Sequence, residues 1–170
     1  RSCLVGSEMC IRDSINGKIK KLFAINEVSL FRQSKQTSLI RLKIGKKIII
    51  KKLIGDGVLV ATPAGTTAYN LSVHGPILPL DSKKIAITPI SPFRPRRWSG
   101  KTISNNNKIS LLNLDFKKRP LAAVADNIEI RNIKNLVIKL NKKIKFKLMY
   151  DSRSSLKKRN LLERIKKNYS

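Results

Sequence analysis

Gly55-Asp56-Gly57-Val58-Leu59-Val60-Ala61-Thr62-Pro63-Ala64-Gly65-Thr66-Thr67-Ala68-Tyr69-Asn70-Leu71-Ser72 changes character twice over a short distance. Val58 to Ala61 is an unbroken apolar run, as a buried strand requires. Thr62-Pro63-Ala64-Gly65 interrupts it, and from Thr66 to about Val73 the residues suit a compact helix whose leading threonines are able to cap its first turn. The order is strand, tight loop, helix start. Such a joint can serve a ligand. Gly65 removes a side chain where a bound molecule would approach the backbone, and a helix start presents N–H groups that the helix itself leaves unpaired. Thr67, Tyr69 and Ser72 add hydroxyls, with positions 69 and 72 on one helical face. The same features are common where any strand meets any helix, so these residues alone leave a structural reading open beside the functional one.

Outward from this joint the pattern is mostly period two, the mark of strands with one buried face. Upstream, Ile19 and Leu22 to Ile25, Leu39 to Ile44 and Ile48 to Ile54 read as strands, with Gly45-Lys46-Lys47 as a hairpin turn and Gly55-Asp56-Gly57 punctuating the next pair. Downstream, Ile85 to Ile90, Ile109 to Leu114, Leu121 to Ala125, Ile128 to Ile133, Leu136 to Leu140 and Ile144 to Met149 follow with short connections. Ser91 to Trp98 holds too many prolines for an interior strand and is expected as a loop or edge. Ser154 to Lys167 places Leu156, Leu161, Leu162 and Ile165 on one side of a terminal amphipathic helix. The expected fold is mainly β and sandwich-like, with a short helix after the Gly-Asp-Gly strand and a C-terminal helix. Arg1 to Ser14 contains both cysteines but no lysine or asparagine, and is set apart as a translation artefact or disordered tail, leaving 15–170 as the domain.

A chain of 170 residues with 41% hydrophobic content is long enough for one sizeable core. No apolar run approaches the roughly 20 residues of a membrane-spanning helix, so a membrane partner is not expected. Two cysteines close to one end do not make a secreted disulfide scaffold, and a reducing cytoplasm fits them best. The net charge of +27, from 37 Lys+Arg against 10 Asp+Glu, would attract any polyanion. The lysines, however, are spread through nearly every segment together with isoleucine and asparagine, as a genome rich in A and T would favour. Aromatics are only 5% and do not interleave with basic residues as stacking platforms. A basic β-module for nucleic acid is therefore the alternative reading and not the leading one.

The opening stretch, continued by His74-Gly75-Pro76-Ile77-Leu78, resembles the long signature of bacterial NAD kinases. Ala24-Ile25-Asn26-Glu27-Val28-Ser29-Leu30 resembles that family's asparagine-glutamate segment, and Thr88 to Trp98 is similar to its alphaproteobacterial members. The resemblance begins near Ile15, weakens after Lys134, and corresponds to the carboxy-terminal half of such an enzyme. It implies transfer of the terminal phosphoryl group of ATP to the 2′-hydroxyl of the adenosine ribose of NAD, giving NADP, with a divalent metal such as Mg2+ arriving on the ATP phosphates.

By the same resemblance Asn26 and Glu27 contact the adenosine part of NAD, chemistry that an amide and a carboxylate suit. Asp56 reaches the nicotinamide carboxamide, Ala64 makes a single contact, and Thr67, Ala68, Tyr69, Asn70, Leu71 and Ser72 form a contiguous NAD-contacting stretch. Asp126 corresponds to a late acidic ligand residue, although Asn127 stands where the family often has glycine or histidine. His74, the one histidine, reads as part of the turn ending the helix and not as a general base.

The departure is an absence. The family's amino-terminal α/β domain carries a Gly-Gly-Asp-Gly motif whose aspartate is assigned as the base, and nothing here matches it, so no catalytic residue is expected within this chain. The fragment is expected to bind NAD with little activity alone. The resemblance also implies a homo-oligomer, dimer or tetramer, for the full-length protein. A relative of diacylglycerol and sphingosine kinases is the nearer alternative, against which Asn26-Glu27 and Thr66 to Ser72 argue.

Overall fold

The period-two pattern becomes burial. Along Ser38–Ile44 and Ile109–Asn113, buried and partly exposed residues alternate, because successive side chains of a strand point to opposite faces. The computed structural model describes residues 7–13 and 19–141. Over these the order is β1 (Ser7–Asp13), β2 (Ile19–Ala24), β3 (Glu27–Arg32), β4 (Ser38–Ile44), β5 (Lys47–Gly55), β6 (Gly57–Ala61), a 3-10 turn (Gly65–Thr67), α1 (Tyr69–Ser72), β7 (Lys84–Ile90), β8 (Lys101–Ser104), β9 (Ile109–Asn113), β10 (Leu121–Ala125), β11 (Ile128–Ile130) and β12 (Ile133–Leu140).

Two antiparallel sheets result, one in the order β2-β1-β12-β9-β4-β5 and the other β11-β10-β3-β6-β7-β8. Their inner faces meet in one apolar core. Ile40, Leu42, Leu53, Leu111 and Leu136 come from the first sheet, and Val28, Leu30, Val58, Ile87 and Leu121 from the second. The second sheet is also covered on part of its outer face. Leu59, Ala61, Ala86 and Ile90 of β6 and β7 pack there against Leu78, with Phe31 and Val73 at the margin. Burial on both faces explains why β6 reads as a continuous apolar run and not as an alternating one.

Several expectations need correction. Residues 7–13, set apart as a tail, stand as β1, paired with β2 on one side and β12 on the other. Ile128 to Ile133 is not one strand. Asn132 takes a left-handed conformation (φ 59°) and sends the chain from β11 in the second sheet to β12 in the first. Strands β3 and β8 were not anticipated as such. The expected helix from Thr66 to Val73 is a 3-10 turn followed by a single α turn, and its threonines do not cap it. Thr66 and Thr67 instead donate back to the carbonyls of Pro63 and Ala64. The acceptor for the first loop N–H is Thr62, whose Oγ1 lies 3.2 Å from the Gly65 nitrogen. The expected strand at Ile144 to Met149 and helix at Ser154 to Lys167 lie outside the described residues.

The step from β5 to β6 at Asp56 carries the chain from one sheet to the other, and Gly57 makes it feasible. A Cβ at Gly57 would collide with the Leu30 carbonyl oxygen of β3 and sit 3.1 Å from Phe31 Cα, both of them backbone. Gly57→Ala is expected to cost about 2–4 kcal/mol, the range of overpacking that cannot relax. A fall in urea midpoint at unchanged m-value reads it out.

Candidate functional site

The segment from Thr62 to Leu80 covers β6 and β7 and stops short of β3, β10 and β11. The outer face of those three strands is left as a cleft of about 530 Å³. Its floor alternates along β3 through Glu27, Ser29 and Phe31, with Ala122 and Val124 beside them on β10. Small residues keep the floor low. Tyr69 stands at the rim from α1, 39% exposed, and Asp126 closes the same end from the β10–β11 turn. Arg32 at the end of β3, Gln33 after it and Arg131 after β11 line the opposite end, with Glu129 between.

The acidic end is built by three chain segments far apart in sequence. Asp126 Oδ1 accepts the N–H groups of Asn26 (2.9 Å) and Glu27 (3.2 Å), and Oδ2 accepts that of Ile25 (2.6 Å). From the other side the Thr62 hydroxyl is shared between the carbonyls of Ile25 (2.7 Å) and Asn26 (3.1 Å), while Thr62 N–H donates to Asn26 O. Gly65 then packs directly on this turn. A Cβ there would overlap the Asn26 carbonyl and lie 2.7 Å from Asn26 Cα. The sequence reading gave that space to a ligand, whereas the Asn26 backbone fills it.

Glu27 carries the clearest electrostatic signature. Burial first, and the neighbouring Asp126 second, push its carboxyl up to about 7. Its Oε2 is buried with no hydrogen-bond partner among the described residues. Between pH 4.5 and about 7 the folded chain keeps a proton here that the unfolded chain has released. Rising pH therefore weakens the fold at this position across that window. An acid held in this state gains from a ligand that donates to it.

The other expected site residues are placed unequally. Asn26 is half-buried, and Ala64, Thr67, Ala68 and Leu71 are partly exposed on the loop and helical turn, with Ser72 exposed. Asn70 is fully buried and works within the fold: its amide donates to Thr66 O and Pro76 O and its Oδ1 accepts from Thr88, leaving no side-chain group toward the cleft. Asp56 lies at the far end of β3 from Asn26. It is ion-paired with Arg32 at 2.5 Å, about six residues or roughly 20 Å along the strand from Asn26. One chain therefore leaves Asp56 well apart from Asn26. Thr62, Arg32, Glu129 and Arg131 were missed from the sequence. Thr62 sat in plain view as a hydroxyl between a buried strand and a proline, and Arg32 continues the β3 segment that was not read as a strand.

Comparison with known proteins agrees on one group. Residues 25–145 match the ATP-NAD kinase C-terminal domain. The NAD kinase of Rhizorhabdus wittichii is 45% identical over 153 residues, covering 90% of this chain and 60% of its own length. That of Zymomonas mobilis is 45% identical with 90% and 59% covered, and that of Brucella suis 46% identical with 84% and 56% covered. The chain thus spans about 60% of the length of the curated relatives it matches. Among solved structures, yeast NADH kinase complexed with NADH superposes with TM-score 0.83 at 20% identity, covering 98% of this chain and 48% of that one. An Archaeoglobus fulgidus NAD kinase in complex with ATP gives 0.68 at 20% identity, with 95% and 59% covered. These two share the fold, and the agreement across residues 25–145 settles the family: the chain belongs to the ATP-NAD kinase C-terminal domain family.

Proposed function

We propose that the complete gene product is an NAD kinase, transferring the terminal phosphoryl group of ATP to the 2′-hydroxyl of the adenosine ribose of NAD, and that this chain is its dinucleotide-holding part. The observation that carries the reading is the convergence of Ile25–Glu27, Thr62–Tyr69 and Asp126 at one end of the cleft, where Glu27 has a buried, unpartnered oxygen. A carboxylate in that state suits a ribose diol, and the Asn26 amide beside it suits an adenine edge. Tyr69 lines the same cleft from α1, and in this reading Ala64, Thr67, Ala68, Leu71 and Ser72 of the same loop and turn add further contacts to NAD. Family membership and the NAD kinase names of relatives at 45% identity favour this chemistry over a nucleic-acid module.

Asp56 enters this reading through assembly. Its distance along β3 from Asn26 is bridged when a second copy supplies it, so the working enzyme is a homo-oligomer, dimer or tetramer, with the nicotinamide carboxamide on the partner's side. The phosphate cradle and catalytic base belong to the α/β portion that full-length relatives have outside this match. Mg2+ comes with ATP, and among the described residues no cluster of three His, Cys, Asp or Glu competes for it. Among the described residues no helix is long and apolar enough to cross a membrane, and the cytoplasm, where NAD and ATP meet, is the proposed location.

In the complete gene product, Asp56→Ala and Tyr69→Phe are each expected to lower kcat/KM for NAD by about tenfold or more, the loss of one well-placed contact. NADP formation at undiminished rate in both variants removes these roles. The pH dependence follows from Glu27. Ionised Glu27 is the better acceptor, so affinity for NAD should rise with pH through about 7. Calorimetric titration at pH 6 and pH 8 checks it, and the difference should vanish in Glu27→Gln.

A further inference from the structure

We infer that Thr62 and Asp126 are positioning residues of the dinucleotide site: from opposite sides they fix the backbone of the Ile25–Glu27 turn, and with it the place at which Asn26 and Glu27 meet the ligand. This inference rests on the proposed NAD kinase reading. Asp126 takes the three consecutive N–H groups of Ile25, Asn26 and Glu27 on its carboxylate and returns its own N–H to the Glu27 carbonyl at 3.1 Å. Thr62, 1% exposed, takes the carbonyl side of the same turn and accepts Gly65 N–H on its hydroxyl oxygen. The turn with Glu27 and the loop leading to Tyr69 are thereby one rigid piece.

The expenditure is out of proportion to any need of the core. Ile25 is 45% exposed, and a surface turn between strands ordinarily leaves such groups to water. Here a charged carboxylate is concentrated on backbone donors, and its bonds are the stronger kind. A site residue whose oxygen must reach a hydroxyl within a few tenths of an ångström needs that rigidity, because no hydrogen bond among the described residues locates the Glu27 Oε2. Asp126 accordingly acts through Asn26 and Glu27 more than by touching the ligand, a change from the direct contact expected from the sequence.

The test uses the complete gene product with Thr62→Val, Thr62→Ser and Asp126→Asn. Thr62→Val and Asp126→Asn should raise KM for NAD about tenfold, with kcat and KM for ATP within about twofold, and Thr62→Ser should restore the wild-type value. Besides Asp126, the groups facing Glu27 in the cleft are Glu129 and Arg131 near β11, Arg32 at the end of β3 and Tyr69 of α1. Of these only Asp126 is altered. Removing its charge should move the Glu27 limb of the pH profile for kcat/KM to lower pH, which a loss of stability alone would not do. Unchanged KM for NAD in folded Thr62→Val protein overturns the positioning role. Where Thr62→Val does not fold, Asp126→Asn decides, and an unmoved KM and pH profile overturn it. If the wild-type protein forms no NADP, the functional reading fails separately. Amide hydrogen exchange at Asn26 and Glu27 then judges the clamp, with faster exchange in Asp126→Asn upholding it and unchanged exchange sinking it.

Discussion

Burial of β6 on both of its faces is the constraint from which the site follows. Val58 and Val60 face the core between the sheets, and Leu59 and Ala61 face outward beneath Leu78. Leaving that outer row in water would forgo roughly 25 cal/mol for each Å² of apolar surface. The chain therefore folds back over β6 and β7 as soon as β6 ends. The fold-back is short, so it covers those two strands and no more. What lies beyond its edge, the outer face of β3, β10 and β11, becomes the cleft, and α1 ends up as its rim.

A cover made of one 3-10 turn and one α turn has little helical stability of its own. Buried polar groups hold it in place. Asn70 ties Thr66, Pro76 and Thr88 together, and Thr66 Oγ1 also accepts the N–H of Leu78. Thr88 is opposite Leu59 in the β6–β7 pairing, so the amide of Asn70 reads the sheet directly. The signature stretch thus divides its labour by burial. Thr66 and Asn70 are fixed inside, while Thr67, Tyr69 and Ser72 remain at the surface.

How much of this could be read from the residues depended on whether the signal was local. The strand-loop-helix order, the apolar run of β6 and the hairpin between β4 and β5 come from neighbours in sequence, and the structure has them. The proline-rich run after Ser91 is likewise a loop, pinned to Ile54, with the Arg94 and Arg96 guanidinium groups over the Phe93 ring at 5.5 and 5.4 Å. Where the determinant was distant, local reading failed. β3 holds three consecutive buried residues, Val28 to Leu30, in place of strict alternation, because the small Ser29 on its outer face lies low in the floor of the cleft and is buried as well. Gly65 was read as an opening for a ligand because the group that presses on it is Asn26, and their meeting depends on the β3–β6 register. The resemblance assigned Asn26, Glu27, Tyr69 and Asn70 alike to NAD contact, whereas the fold treats them differently: Glu27 and Tyr69 line the cleft, and Asn70 is buried among its own hydrogen bonds.

The two ends of the cleft differ in how their charges are spent. At one end Arg32 and Arg131 are each matched with a carboxylate, Asp56 and Glu129, so that end is close to neutral before any ligand arrives. At the other end two carboxylates face each other with no cation beside them in the described ion pairs. The Asp126 carboxylate is taken up by backbone N–H groups, while Glu27, buried first and repelled by Asp126 second, holds its proton. A chain with 37 basic residues could easily have supplied a lysine here. Its absence among these contacts keeps the Glu27 oxygen unclaimed, and an unclaimed, desolvated acceptor discriminates sharply between a molecule that brings a hydroxyl to it and one that does not.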